Sequence, residues 1–399
     1  MRIIHTADWH LGQFFYNKSR AAEHQAFLDW LLTQIGQHQV DALIVAGDLF
    51  DTGAPPSYAR EMFNRFVVAL QPSGCQLVVL AGNHDSVATL NESRELLACL
   101  NTRVIATPQG DGDVLVLNDR QGAPGALLCA IPYLRPRDIM RSRAGQSGRE
   151  KQISLLEAIT AHYQRSFSAA QAHEMKLPII ATGHLTTVGV TKSESVRDIY
   201  IGTLDAFPAS AFPAADYIAL GHIHRAQRVA NSDHIRYSGS PIPLSFDELS
   251  SEKSVYLVDF SLEGLQSVTP LPVPCFQPMQ ILKGSLAQIE QQLMAFHTSE
   301  TEKPVWLDIE VTTQEYLSDL QRRIEALTAE LPVDVLLLHR SRALRQNSLA
   351  RLDNETLSEL KVEEVFARRL ALDSEMDDAQ IAQLTTLFRS TLAEMEENE

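Results

Sequence analysis

Short apolar runs recur through the first half of the chain, and each is closed by a polar cluster. Arg2–His5, Ala42–Ala46, Gln76–Leu80, Ala126–Ile131, Ile179–Thr182 and Tyr217–Leu220 are rich in aliphatic residues and read as buried strands. Between the first three, Ala21–Gln37 and Ser57–Leu70 repeat apolar positions at helical spacing. The order strand, helix, strand, helix, strand predicts βαβ units and a largely parallel sheet. The clusters HTADWH, GDLFD, GNHD, GHLTT and GHIH follow strands directly. Loops at the carboxyl ends of strands are where open α/β sheets place their ligands.

The second half is patterned differently. Tyr237–Gly239 and Val255–Phe260 read as further strands, and the proline-rich run Pro270 to Pro278 reads as a boundary. Beyond it, Val305–Val311 alternates as a strand does. Glu315–Glu330 carries Leu317, Leu320, Ile324 and Leu327 on one helical stripe, and Val333–Leu338 is another strand. A polar connector, Arg340 to Asn354, precedes two helices, the first opening on a capping box from Thr356 to Glu359. Leu357, Leu360, Val365 and Phe366 make one apolar stripe; Leu384, Leu387, Phe388 and Leu392 make another. The expected domains are 1–275, 276–340 and 341–399. Neither an internal repeat nor a low-complexity tract is present.

Composition narrows the function classes. With 399 residues, 45% apolar and 21% charged, the chain is long enough for several domains and balanced like a globular protein. It has no apolar run of the roughly 18 residues that cross a bilayer. The N-terminal MRIIHTADWHLG is not patterned as a signal peptide. Cys75, Cys99, Cys129 and Cys275 form no CxxC pair and read as reduced thiols of a cytoplasmic protein. The net charge of −16 argues at first sight against a nucleic-acid partner. The charge is uneven, however. Tyr133 to Gln152 holds Arg135, Arg137, Arg141, Arg143, Arg149 and Lys151 against only Asp138 and Glu150. This stretch reads as a solvated basic loop, with DNA contact the alternative. No GxxxxGK[ST] occurs, so the chain is not itself a P-loop ATPase.

Five clusters carry candidate chemistry: Asp8-x-His10, Gly47-Asp48-x-x-Asp51, Gly82-Asn83-His84-Asp85, Gly183-His184 and Gly221-His222-x-His224. Each alone is weak. In this order, each after an apolar strand, they are specific. Two divalent cations need carboxylate oxygens, an amide oxygen and imidazole nitrogens, with one carboxylate able to bridge. Such a pair, roughly 3.5–4 Å apart, clamps an in-line displacement at phosphorus. His5 lies inside its strand and reads as a core histidine; Asp51 reads as fixing its turn. The segment GTLDAF, with Asp205, reads as a turn without chemistry.

The set DxH, GDxxD, GNH[D/E], GH and GHxH resembles the calcineurin-like metallophosphoesterases. The fuller strings HTADWHLG, AGDLFDTG, LAGNHDS, ATGHLT, LGHIHRAQ and YSGSPIPLSFDE resemble that family's DNA-nuclease branch. The resemblance implies an α/β fold, an α+β sandwich, with a small α/β capping domain and a C-terminal helical tail. It implies that Asp8 and His10 bind a first metal, that Asp48 bridges, that Asn83, His184 and His222 bind a second, and that His224 returns to the first. His84 matches the family's catalytic histidine, and Asp85 is placed to orient its ring. Manganese is the metal implied. The implied partners are the SMC-like ATPase SbcC, docked by the tail, and double-stranded, hairpin and single-stranded DNA. The implied assembly is a homodimer within a heterotetramer, cytoplasmic and nucleoid-associated. The implied activity is ATP-dependent double-strand exonuclease and single-strand or hairpin endonuclease. Two alternatives stand beside it: a phosphatase or small-molecule phosphodiesterase on the same metals, and a non-catalytic scaffold.

Overall fold

The computed structural model describes residues 1–108, 114–140, 147–197, 206–298, 303–312, 317–341, 384, 387 and 388. Arg141, Arg143, Asp205 and all of the connector and tail beyond Ser341 except Leu384, Leu387 and Phe388 lie outside the described residues. The chain divides into two compact units, Met1–Gln280 with Lys303–Trp306, and Ile281–Glu302 with Leu307–Glu399.

The first unit holds two six-stranded sheets. One is ordered Gly264–Pro272, Ser254–Ser261, Arg2–Thr6, Ala42–Ala46, Gln76–Leu80, Thr102–Ile105. The other is ordered Gln227–Arg228, Ile235–Tyr237, Tyr217–Gly221, Ile179–His184, Pro124–Cys129, Val114–Asn118. In each, four neighbouring strands run parallel and the added edge strands run antiparallel. The parallel sheet predicted from the βαβ pattern is therefore split in two.

A two-residue period explains the layering. Ile3, Ala42, Ile44, Val78 and Leu80 of the first sheet join Ala126, Leu128, Ile180, Tyr217 and Ala219 of the second in a core between the sheets. Their neighbours face outward. Leu43, Val45, Leu77 and Val79 pack against the helices Ala21–Gln37 and Ser57–Leu70. Leu127, Cys129, Ala181, Ile218 and Leu220 pack against the helix Gly148–Ala172. Slipping any of these strands by one residue would exchange the two cores. The result is a helix–sheet–sheet–helix sandwich in which the central strands of each sheet are buried on both faces.

Two sequence expectations change. The basic stretch is not one loop: Pro136–Ile139 is a short helix, and Ser147 caps the 25-residue helix Gly148–Ala172 with Glu150 completing a capping box. Arg149 and Lys151 therefore ride on its first turn. The proline-rich boundary begins late, because Pro270 and Pro272 lie within the strand Gly264–Pro272. That strand is an edge, with one hydrogen-bonded neighbour, so a missing N–H there breaks no second ladder.

The second unit carries most of a three-stranded sheet, Met279–Gly284, Val305–Val311, Val333–Arg340, the first two residues of the first two strands being counted with the first unit, and the helices Leu286–Met294 and Leu317–Thr328. Among the described residues no helix is long and apolar enough to cross a membrane.

Candidate metal centre

The two sheets present their carboxyl-end loops at one edge, and direct hydrogen bonds stitch them together there. His5 Nδ1 pairs with Tyr217 Oη at 2.9 Å and its Nε2 with Leu220 O at 3.2 Å. Burial pushes this ring down to about 3, so it is a neutral core histidine, as its strand position implies. The loop after the first strand runs alongside the loop after the second: Asp8 N donates to Gly47 O at 3.0 Å and His10 N to Asp48 O at 3.1 Å. This pairing sets DxH in register with GDxxD.

The backbone is strained where the chemistry is. Asp8, His10, Asp48 and His222 have φ of 54°, 46°, 49° and 93°. Left-handed conformations cost a residue with a side chain on the order of 1–3 kcal/mol and persist where the surroundings over-determine them. Gly47 and Gly82 are needed for a different reason. A Cβ on Gly47 would lie 2.1 Å from His184 Nδ1, and one on Gly82 would lie 2.1 Å from Asp48 Oδ1. The two glycines let the strand ends close on each other.

The site is built around Asp48, which is 1% exposed. Its Oδ2 is 3.2 Å from His184 Nε2 and 3.7 Å from His10 Nε2, while Oδ1 accepts His84 N–H at 2.8 Å. Asp8, His10 and His224 offer ligand atoms within 4.8 Å of one another, and so do Asp48, His184 and His222. A third such group joins His10, Asp48 and His84. Asn83 Oδ1 lies 2.9 Å from His184 Nε2 and 3.1 Å from His222 Nδ1, which brings it into the second group. The structure thus gathers all of the predicted ligands and His84 in one cluster, buried apart from the half-buried Asn83 and His84.

These residues fit a pair of divalent cations. Asp8 and Asp48 are buried carboxylates, and an uncompensated buried charge is too costly to keep. His10 Nε2 and His222 Nε2 are buried without a hydrogen bond. The histidines are also held from behind. His184 Nδ1 donates to Ala46 O at 3.0 Å, and His10 Nδ1 meets Asp51 Oδ1 at 3.1 Å. Each contact leaves the other ring nitrogen aimed into the cluster. Burial raises Asp8, reinforced by Asp48. Burial would raise Asp48 too, but the His184 ring beside it, with His10 and His84, outweighs this and holds it well below the carboxylate range.

His84 and Asp85 divide their work differently from the sequence expectation. The His84 Nδ1–H donates to Asp51 O at 2.7 Å, not to Asp85. Asp85 instead accepts the backbone N–H groups of Gly82, Phe50 and Leu49 at 2.9, 3.0 and 3.1 Å. Its carboxylate points under the turn and ties GNHD to GDLF, so it shapes the loop and does not orient the imidazole. Burial, with Asp48 nearby, pushes Asp85 up to about 6. Burial lowers His84.

Sequence reasoning misses several contributors. Asp51 holds both His10 and His84. Arg135 Nη2 donates to Asp85 O at 3.0 Å, with its guanidinium over the Tyr133 ring, so one of the predicted basic residues stands beside the GNHD turn. Ser195, Glu248 and Lys253 surround His224. Glu248 lies within the string YSGSPIPLSFDE; Ser195 and Lys253 carry no spacing signal.

The chain is similar to known proteins over most of its length. Residues 1–226 match the family described as calcineurin-like phosphoesterase. Residues 275–374 match one described as type 5 capsule protein repressor C-terminal domain. The SbcD component of the nuclease SbcCD from Escherichia coli K12 is 63% identical over 398 residues, 98% of each chain. The corresponding protein from Rhodobacter capsulatus is 37% identical over 286 residues, 69% of this chain and 70% of its own. A dimetal phosphatase from Danio rerio aligns with a TM-score of 0.38 at 13% identity, over 68% of this chain and 98% of its own.

Proposed function

This chain belongs to the calcineurin-like phosphoesterase family and, within it, to the SbcD group of SbcCD nucleases, and we propose from that premise how its residues share the reaction. It is a metal-dependent phosphodiesterase of the nuclease kind, and a small-molecule phosphatase is not favoured. Asp8, His10 and His224 would hold one ion, Asn83, His184 and His222 would hold the other, and Asp48 would serve both. The ions are Mn²⁺ in this reading. The observation that carries it is Asp48 Oδ2, within 3.7 Å of imidazole nitrogens from both ligand groups.

Divalent ions supply Lewis acidity toward a phosphoryl oxygen and an activated water. The protein residues do the rest. His84 commits its Nδ1 proton to Asp51 O, so its Nε2 donates only when the ring is protonated. A DNA phosphate beside it favours that protonated form, offsetting the effect of burial. His84 then stabilises charge on the phosphoryl group and returns a proton to the leaving oxygen. Asp85 keeps the turn in place under it, a supporting role.

The substrates proposed are double-stranded, hairpin and single-stranded DNA. The partner proposed is the SMC-like ATPase SbcC, since the relatives are named as one component of SbcCD. The segment 276–340 serves as a capping domain for DNA, and 341–399 as the connector and docking tail. Two copies with two ATPases form the working assembly, in the cytoplasm at the nucleoid. The test is cleavage of an end-labelled hairpin, with Mn²⁺, with and without SbcC and ATP, beside a nitrophenyl phosphate diester. Manganese-dependent hairpin cutting stimulated by SbcC and ATP is expected. Hydrolysis of the ester alone, with intact DNA, would refute the nuclease assignment.

A further inference from the structure

One buried cluster takes no direct part in the reaction. Glu248 is fully buried, on a 3-10 turn at Phe246–Ser250. Its Oε2 lies 2.5 Å from Lys253 Nζ and accepts Leu244 N–H at 3.0 Å. Its Oε1 accepts Ser195 Oγ–H at 2.5 Å and Ser193 Oγ–H at 2.9 Å. Ser195 Oγ is in turn 2.6 Å from His224 Nδ1. Lys253 Nζ also donates to the His224 carbonyl at 2.9 Å and to Ser240 Oγ at 2.8 Å. Glu248 Oε1 also lies 3.4 Å from His224 Nδ1, so the cluster grips His224 at its carbonyl and at its ring.

The shortest contacts assign the protons along this chain of groups. A carboxylate only accepts, and at 2.5 Å Glu248 Oε1 is the nearest of the Ser195 partners, nearer than His224 Nδ1 at 2.6 Å and Ser193 Oγ at 3.0 Å, so the Ser195 hydroxyl proton goes to Glu248. The Ser195 oxygen then has only lone pairs left for His224, which must place its ring proton on Nδ1. The lone pair is thereby on Nε2, the ring nitrogen that Ser195 leaves free to serve the group with Asp8 and His10. A buried carboxylate–lysine pair is poor evidence of a stabilising role, because apolar residues of the same size do as well. This one has a job that apolar residues cannot do.

We propose that Glu248, acting through Ser195, is the positioning residue that sets the tautomer and aim of His224, and so selectively fixes the affinity of the ion held by Asp8, His10 and His224. The proposal rests on the two-ion reading above. It separates the ions: His184 of the other group is backed by the Ala46 carbonyl and has no link to Glu248.

The test uses the full chain, freed of metal by chelation and titrated with Mn²⁺ by calorimetry, with electron paramagnetic resonance reporting the spin-coupled ion pair. Wild type takes up two equivalents; uptake of fewer would refute the two-ion reading itself. Glu248→Gln and Ser195→Ala weaken one equivalent by on the order of 10–100-fold and leave the other unchanged, the usual effect of losing the group behind a ligating histidine. Ser195→Thr, which keeps the hydroxyl, restores it. The Ser195→Ala and Ser195→Thr pair leaves the buried Glu248–Lys253 contact intact, so it decides the matter even if Glu248→Gln fails to fold. With two equivalents in wild type, unchanged affinities in Ser195→Ala, or equal weakening of both ions, would overturn the proposal. A shift in thermal midpoint of the metal-free protein with unchanged affinities would likewise mark the cluster as merely structural.

Discussion

Metal uptake should expel a proton from His184. The ring sits between three acceptors: Nδ1 faces Ala46 O at 3.0 Å, and Nε2 faces Asn83 Oδ1 at 2.9 Å and Asp48 Oδ2 at 3.2 Å. With oxygen on both sides, the metal-free ring carries both protons. Burial alone would lower its pKa, but the Asp48 carboxylate, with help from Asp8, raises it from 6.5 to about 9. A cation must displace the Nε2 proton, so below pH 9 apparent affinity for that ion falls about tenfold per pH unit, or roughly 100-fold between pH 9 and pH 7. Stability of the metal-free protein shows the same linkage. The folded pKa is raised, so the contribution is complete below pH 6.5 and fades as pH climbs through about 9. At about 1.4 kcal/mol per pH unit it amounts to about 3 kcal/mol. Nitrogen-15 shifts of labelled histidines read the protonation state of the metal-free protein. Calorimetry in two buffers of different protonation enthalpy counts the protons released by Mn²⁺. A neutral His184 at neutral pH, or Mn²⁺ affinity that is flat from pH 6.5 to about 9, would refute the reasoning.

Three further outcomes are expected. Asp48→Ala should lose both equivalents of manganese, because Oδ2 reaches 3.2 Å from one ligand group and 3.7 Å from the other; elemental analysis showing both retained would break the bridging assignment. His84→Ala should keep its metal and bind DNA while cleavage falls by on the order of 10²–10⁴; loss of metal would make His84 a ligand, as its proximity to His10 and Asp48 permits. A chain cut near Arg351 should fold, bind manganese and cut short single strands, but lose stable association with SbcC and ATP-stimulated duplex degradation. Co-purification with SbcC at full stoichiometry would place docking elsewhere, and failure to fold would assign the tail stripes to the core.

What can be read in the sequence follows from what each part must touch. The helices Ala21–Gln37 and Ser57–Leu70, and the strands Ala42–Ala46, Gln76–Leu80 and Val305–Val311, fall at their expected bounds because their periodicity is carried by plainly apolar residues. The 25-residue helix Gly148–Ala172 escapes the sequence reading although its period is present. It buries Leu155, Ile159, His162, Tyr163, Ser166, Phe167 and Ala170, and the histidine and serine among them disguise the stripe. The same distinction applies at the metal centre. Ligand atoms must be delivered by sharp turns at strand ends, where glycines are needed for close approach, so they form short motifs. Groups that hold a ligand from behind need only reach one ring nitrogen, and they can come from anywhere. Asp51 reaches His10 across 41 positions from within a motif that does not reveal this contact, and Ser195, outside every motif, reaches His224 across 29. Adjacency even misleads, since Asp85 follows His84 in sequence yet faces the backbone of another loop. Orientation of the ligands is thus a tertiary property. For that reason Ser195 and Glu248, and not the motif residues, are where variation among chains with identical ligands can alter metal affinity without altering any ligand.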